Sequence, residues 1–148
     1  MVIRLRQGVM ADVAGVAVLH RRSIKAAMPW LPELHSAKED LTFFGETVFP
    51  NQVVTLAEID LQLVGFSAAA ADGWLNHLYV DPAHQGVGVG WALLAHVLDC
   101  RTSLQLWAFQ RNHRARRFYE RADFRVARMT DGSGNEEGEP DVLYVWRR

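Results

Sequence analysis

Residues 78–91 have the sequence LYVDPAHQGVGVGW, and this stretch decides the fold. A strand is predicted over residues 74–80, a turn follows at Asp81-Pro82, and an apolar helix begins near Gly88. Closely spaced glycines allow the backbone to approach a ligand and to direct several N–H groups at it, and a helix N-terminus adds positive potential. The turn is therefore either a phosphate or pyrophosphate site or a tight connection without a ligand, and the glycines alone favour neither.

Two known phosphate-binding loops do not fit this turn. It lacks the lysine and the serine or threonine of the GxxxxGK[ST] loop, which argues against an NTPase. In the dinucleotide fingerprint GxGxxG the third glycine would follow Gly88 by three residues, but Gly90 follows it by two. A nucleotide-binding regulator is therefore disfavoured.

The composition limits the class of protein. The chain has 148 residues, of which 49% are apolar, and a net charge of −1, so we expect one globular domain over residues 1–148. Nucleic-acid binders are usually more basic, and no segment is long and apolar enough to suggest a membrane span. The single cysteine, Cys100, rules out an internal disulfide and agrees with a cytoplasmic location. We expect it to be a small buried residue late in a helix.

The hydrophobic periodicity predicts the element order βααβββαβαββ. Strands are expected at residues 2–6, 53–58, 63–70, 74–80, 104–109, 124–128 and 142–146, and helices at about 12–27, 36–48, 88–100 and 112–121. Ser36 and Glu39 have the spacing of a capping box at the start of the second helix. An α/β (α+β) fold, with helices packed on a mixed sheet, accommodates this order.

Two motifs resemble those of the GNAT acetyltransferase superfamily. Residues 85–90, QGVGVG, match its Q/R-x-x-G-x-G/A acyl-CoA motif, and residues 112–124, NHRARRFYERADF, are similar to N-x-x-A-x-x-F-Y-E-x-x-G-F. The two blocks stand at the family spacing. One departure is Asp123, which replaces the usual glycine at the end of the second motif. We expect a left-handed backbone there, and Asp is one of the few other residues that tolerate it.

The resemblance implies a GNAT-like mixed sheet of about seven strands with about four flanking helices. It also implies acetyl-CoA as co-substrate, no metal, and a cleft where strands 74–80 and 104–109 splay apart. Backbone groups of Leu78 and Val80 would pair with the pantetheine arm, and Asn112 and Tyr119 would lie near the pantetheine and the sulfur. The amides expected on the pyrophosphate are those of Gln85, Gly86, Val87, Gly88, Val89 and Gly90.

The implied reaction is transfer of an acetyl group to a primary amine of a small molecule or of a peptide or protein N-terminus. The amine would attack directly in a ternary complex, and Tyr119 would donate a proton to the departing thiolate unless it is only a packed aromatic. Some relatives carry a glutamate that acts as general base at the position of Trp107. Because this chain has a tryptophan there, the resemblance does not assign it a general base. Asn76 and His77 are candidates for ordering a water, but adjacent strand residues face opposite ways. His77 is equally well explained as a structural histidine.

The acceptor would be bound by loop residues. Trp30 and His35, in a proline-broken loop over residues 30–35, and Glu137, in the acidic loop over residues 130–140, are the substrate-binding candidates; a plain solvated loop is the alternative for Glu137. Seven arginines between residues 111 and 128 are either a solvated face or phosphate contacts. We expect no nucleic-acid or membrane partner, and a homodimer stays open.

A protein that binds acyl-CoA without catalysis, as a sensing module, is the alternative function. The missing carboxylate at Trp107 favours it, and Tyr119 argues against it. Amine-dependent release of free thiol from acetyl-CoA distinguishes the two.

Overall fold

Seven strands and five helices make up the structure, a computed structural model that describes residues 1–148. The strands are β1 (Arg4–Gln7), β2 (Val53–Ile59), β3 (Gln62–Ala69), β4 (Leu75–Val80), β5 (Ser103–Phe109), β6 (Arg125–Met129) and β7 (Asp141–Arg147). The helices are α1 (Val13–Ala27), α2 (Ala37–Phe43), α3 (Phe49–Asn51), α4 (Val89–Asp99) and α5 (His113–Arg121). The predicted α+β class and the order of the strands are confirmed, and the additional helix, α3, continues the second predicted helical region. None of the helices has the length and apolar character needed to span a membrane.

The second helical region is longer than predicted. It begins at the expected capping box, in which Ser36 Oγ accepts from the Glu39 N–H at 3.1 Å and Glu39 Oε1 accepts from the Ser36 N–H at 2.9 Å. A π-helical segment, Phe44–Val48, joins α2 to α3. The sequence predicted an end before Pro50, but Pro50 lies in the first turn of α3, where its missing N–H is not needed.

The strands form two sheets, whereas the sequence predicted one mixed sheet. The first has the order β1-β2-β3-β4 and the second β5-β7-β6, and all neighbouring strands within each sheet are antiparallel. A single parallel bridge between Trp74 and Gln105 joins them, just before β4 begins. β4 and β5 therefore touch at one end and have no ladder along the rest of their length.

The two sheets are held together by a shared core and not by that bridge. One cluster of buried side chains draws Leu75 from the first sheet, Leu104 and Leu106 from the second, and Leu94 from α4. Each such side chain stabilises the fold by roughly 1.5–3 kcal/mol, against about 1 kcal/mol for one hydrogen bond. A second cluster packs α1 and Phe44 against the other face of the first sheet.

Two details of α4 matter for the site. Gly65 on β3 lies directly beneath it: a Cβ there would be 2.9 Å from Val89 Cγ1 and 3.0 Å from the Tyr79 carbonyl oxygen. The absence of a side chain thus lets the first turn of α4 approach the sheet. At the other end, Cys100 caps α4 and is exposed, so the prediction that it is buried was wrong. The chain leaves the helix there, and its apolar face ends before this position.

Candidate active site

A cleft of about 870 Å³ runs between β4, the turn before α4, and α5. Part of α1 closes one side of it. Nine of the ten residues expected to bind acyl-CoA line this cleft: Leu78, Val80, Gln85, Gly86, Gly88, Val89, Gly90, Asn112 and Tyr119. The tenth, Val87, is exposed on the turn and does not line it. The two sequence motifs therefore converge on one cavity, although α4 and β5 separate them in the chain.

The backbone of β4 has a free edge along the cleft. The Asp81 N–H donates to the Val64 carbonyl at 2.8 Å, so this side of the chain faces β3. Because successive residues of a strand alternate, Leu78 and Val80 direct their backbone groups to the open side. The Val80 carbonyl already accepts from Gln85 Nε2 at 3.0 Å and from Ser23 Oγ at 3.3 Å. The groups left for a ligand are the Val80 N–H and both backbone groups of Leu78.

The glycine-rich turn has open space above it. Gly86 and Gly88 have φ angles of +77° and +97°, in the left-handed region that favours glycine. A Cβ at Gly86 would meet nothing within 4 Å, and one at Gly88 would meet only Ile3 Cδ1, at 3.9 Å. Gly88 is the N-cap of α4, whose first N–H groups have no partner within the helix. Exposed donors at a helix N-terminus can hold a phosphate group.

Tyr119 and Tyr79 place two neutral hydroxyls in the cleft lining. Tyr119 is only 8% exposed and packs against Phe124 at 5.4 Å between ring centroids. Burial raises the pKa of Tyr119 well above its ordinary value of 10. Burial, and secondly the negative charge of Glu137, raise the pKa of Tyr79 to about 12. Both phenols therefore stay protonated at neutral pH and are available as donors.

Groups on α5 and at its start form the opposite wall. Asn112 caps the helix through Oδ1, which accepts from the Ala115 N–H at 3.2 Å, so its Nδ2 is the group available to a ligand. Arg114, Arg117 and Arg121 line the cleft, and none of the three forms an ion pair in the protein. This edge is therefore positive, which favours the phosphate alternative for these arginines over a plain solvated face.

Asn76 and His77 do not line the cleft. The register between β3 and β4 shifts so that Ala69 pairs with Leu75 and Ala68 with His77, which leaves Asn76 as the extra residue of a β-bulge, exposed to solvent. His77 packs among aromatic rings on the α1 side, 5.5 Å from His20 and 5.3 Å from Phe44 between centroids. Burial lowers the pKa of His77 to about 3 and that of His20 to about 4. The geometry gives neither Asn76 nor His77 a direct path to the cleft.

A second cavity, of about 490 Å³, is lined in part by Glu137. Trp30 and His35 do not line it. Trp30 packs edge-on against Phe109, which does line it, with ring centroids 6.1 Å apart. His35 Nε2 instead meets Glu136 at 2.5 Å and so joins the loop after α1 to the loop after β6. The charge of Glu136 is the main reason that the pKa of His35 is raised.

One contact of the loop after α1 and one residue of the cleft lining were not predicted from the sequence. Arg21 holds the loop after α1 in place by two hydrogen bonds. Its guanidinium donates to Asp40 and to the His35 carbonyl, both at 2.7 Å. These partners lie 14 and 19 residues away, and no local pattern signals such a contact. Tyr79 stands inside the quoted motif, and the alternation along β4 was the available signal that its side chain faces away from those of Leu78 and Val80.

A family model described as the acetyltransferase (GNAT) domain matches residues 50–126. This part of the chain includes β4, the glycine-rich turn, α4 and α5, which together provide most of the cleft lining. The chain belongs to the GNAT acetyltransferase family. A comparison with curated proteins found no match.

Several solved structures share the fold over nearly the whole chain. YjaB from Escherichia coli superposes with a TM-score of 0.80 at 22% identity, covering 99% of this chain and 98% of that one. The PaiA N-acetyltransferase from Thermoplasma acidophilum, solved with coenzyme A, has a TM-score of 0.79 at 18% identity and covers 100% of both chains. YncA from Salmonella typhimurium, solved with its cofactor acetyl-CoA, has a TM-score of 0.75 at 18% identity, with coverages of 99% and 94%. At these identities the likeness establishes the fold alone.

Proposed function

We propose that this protein transfers the acetyl group of acetyl-CoA to a primary amine by direct attack in a ternary complex. The observation that carries the proposal is the cleft itself, where a left-handed glycine turn, a free strand edge and a protonated tyrosine line one cavity. Family membership and the relatives solved with coenzyme A and acetyl-CoA support acetyl-CoA as the source of the acetyl group. Residues 1–148 acting as one domain, a cytoplasmic location and a homodimer remain predictions.

Each part of the acetyl-CoA molecule has a chemical counterpart in the cleft. The N–H groups from Gly86 to Gly90 suit the pyrophosphate, and the arginines of α5 suit a further phosphate. The open edge of β4 suits the amides of the pantetheine arm, which can pair with it like an added strand. Asn112 Nδ2 offers one more donor beside that arm. Because acetyl-CoA is a substrate and leaves as CoA, no resident cofactor or metal is needed.

The chemistry needs few protein groups. The amine nitrogen forms a bond to the thioester carbonyl carbon while the carbon–sulfur bond breaks, and holding the two reactants together supplies much of the rate. We assign the Val80 N–H, on the open edge of β4, as the donor to the carbonyl oxygen as that oxygen gains negative charge. Tyr119 donates its proton to the departing thiolate, the proton lost by the amine passes to a base or a water chain, and a proton from that base or chain restores the Tyr119 hydroxyl. Asn76 and His77 remain predictions for ordering that water, without support from the cleft geometry.

Removal of the Tyr119 hydroxyl tests the acid role. In Tyr119→Phe the ring and its packing are kept, so the fold should survive. General acid catalysis contributes roughly 10²–10⁴-fold, and a thiolate is a fairly stable leaving group, so we expect kcat to fall by about 100-fold. Affinity for CoA should be unchanged, because its phosphates are held elsewhere. Steady-state thiol release with an identified amine and a calorimetric titration with CoA measure the two quantities.

Tyr144→Phe is the matched control. The Tyr144 hydroxyl is also buried in part, but it bonds to Arg116 at 3.0 Å and to Glu120 at 2.5 Å and does not line the cleft. This variant should lose stability and keep kcat. An unchanged kcat in Tyr119→Phe would leave Tyr119 as a packing residue. A joint loss of kcat and CoA affinity would mean that it only positions the donor.

A further inference from the structure

The second cavity lies on the face of the second sheet that is turned away from α4 and α5. The strand register aligns Trp107 of β5, Leu143 of β7 and Arg128 of β6 in one row across this face. Trp107 and Phe109 line the cavity, and the loop between β6 and β7 supplies Glu137 and several polar residues. The cavity therefore has an aromatic floor and a polar wall.

Glu137 is the one carboxylate of this loop region that has no partner. Four other acids are satisfied within the protein. They are Asp131, bonded to the Ser133 N–H; Glu136, paired with His35; Glu139, paired with Arg111; and Asp141, bonded to Thr130 and Asn135. Glu137 lines the cavity and is near enough to Tyr79 for its charge to act on that hydroxyl. An unpaired anion thus lies between the second cavity and the donor cleft.

Arg128 is an unpaired cation in the same cavity. Its guanidinium lies over the Trp107 ring, with Cζ 5.5 Å from the ring centroid, and it forms no ion pair with any carboxylate. It does not pair with Glu137 either, so the two opposite charges stand apart. A ligand that carries both an ammonium and a carboxylate satisfies both groups, whereas a simple amine leaves the arginine unpaired and a diamine is repelled by it.

We propose that this cavity is the acceptor site and that it takes an α-amino acid with an aromatic or large apolar side chain. The ammonium group pairs with Glu137, the carboxylate pairs with Arg128, and the side chain packs on Phe109 and on the exposed part of Trp107 that Arg128 leaves uncovered. The proposal rests on the proposed function, of which it specifies the acceptor.

Binding to the full-length protein saturated with CoA, which cannot transfer an acetyl group, tests the proposal without turnover. L-Phenylalanine and phenethylamine differ only in the carboxylate, as do L-tryptophan and tryptamine. We expect calorimetry to show at least tenfold tighter binding of the amino acid in at least one pair. Arg128→Gln should abolish this preference and leave the amine unchanged, while Glu137→Gln should weaken both members of the pair. With acetyl-CoA, Arg128→Gln should raise KM for the amino acid tenfold or more, with kcat within about twofold.

Arg125→Gln is the matched control, because Arg125 is an exposed arginine of the same strand that does not line the cavity. It should bind both members of each pair as the unmodified protein does. Equal binding of the amino acid and its amine, or a preference that survives Arg128→Gln, overturns the proposal. Thiol release with other amines but no binding of amino acids would overturn it while the acetyltransferase proposal stands. If no amine releases thiol although CoA binds, the acetyltransferase proposal fails, and the binding preference still decides the nature of the cavity.

Discussion

Asp123 has a left-handed backbone, with φ of +68°, at the position where the family motif usually has glycine. Its side chain is exposed, so conformation decides its contribution. Asp123→Gly relieves the left-handed strain and adds entropy to the unfolded chain, and these effects oppose each other. We expect stability unchanged or higher by up to about 1 kcal/mol. Chemical denaturation measures this, with Asp123→Ala as the comparison that should lose stability. A clear loss in Asp123→Gly would point to a contact of the carboxylate.

Gly88 has a left-handed backbone and also lines the cleft. Gly73 has a similar backbone but does not line the cleft, so a comparison of the two glycines separates backbone strain from ligand binding. Gly88→Asp introduces strain and puts a negative charge where we place the pyrophosphate. Gly73→Asp introduces similar strain, at φ of +95° with nothing within 4 Å, in the turn between β3 and β4. We expect both variants to lose similar stability but only Gly88→Asp to lose CoA affinity, by at least 100-fold. Calorimetry with CoA on folded protein decides; equal affinity in both variants would remove the turn from the donor site.

At the scale of elements, the close contact between β3 and α4 sets the position of the turn. In Gly65→Ala the new methyl group would meet Val89 and the Tyr79 carbonyl oxygen at 3.0 Å or less, so α4 or β4 must move. Overpacking of this kind costs roughly 1–3 kcal/mol, and here it shifts the N-terminus of the helix. We expect a lower Tm together with weaker CoA binding. Gly134→Ala, with open space and an ordinary φ, should change neither. A stable Gly65→Ala with normal CoA affinity would show that this contact is not tight in solution.

The loops around the second cavity show how far local sequence patterns extend. The capping box at Ser36 and the left-handed Asp123 were predictable because each depends on residues within one turn of a helix. The pairing of His35 with Glu136 joins parts of the chain that only the fold brings together. For the same reason the sequence named Glu137 but not Arg128: the register of three strands places that arginine over Trp107.

At the scale of the whole molecule, the buried histidines make stability depend on pH. His20 and His77 are neutral in the folded state, with pKa values of about 4 and about 3, while the unfolded value is 6.5. Above pH 6.5 neither state binds these protons, so they have no effect. As the pH falls from 6.5 toward 4 only the unfolded state takes them up, and stability falls by up to about 1.4 kcal/mol per pH unit for each histidine. The raised pKa of His35 has the opposite effect on the pH dependence of stability, but the His35–Glu136 pair is exposed and screened by water.

Denaturation between pH 6.5 and pH 5 measures this dependence, before most carboxylates titrate. We expect His77→Phe to flatten the profile, because the aromatic cluster keeps a ring of similar shape and loses a titrating group. His96→Gln, at an exposed position of α4, should keep the original slope. If the two variants have the same slope, the protons are taken up elsewhere.

The number and order of the strands were predictable from alternation and turn residues, because those are local properties. The division into two sheets was not, since it depends on how residues far apart in the chain, from both sheets and from α4, pack into one core. Nine of the ten residues that the resemblance assigns to acyl-CoA line the first cavity, because both motifs are short stretches of consecutive residues; that they bind acyl-CoA stays a prediction. The β-bulge that leaves Asn76 exposed, and the burial of His77, follow from register with β3, which the sequence of β4 alone does not specify.

The place of β7 in the second sheet has a consequence for how the protein is made. β7 lies between β5 and β6 although it follows both in the chain. The four strands of the first sheet pair in the order in which they are synthesised, but β6 has no strand partner, and β5 has only its single bridge to Trp74, until residues 141–147 leave the ribosome. A nascent chain at that stage exposes Leu104 and Leu106 and two open strand edges, which other chains can bind. Translation that stalls within the loop after β6 would therefore release an aggregation-prone half-enzyme, in which the first sheet is formed and the second is absent.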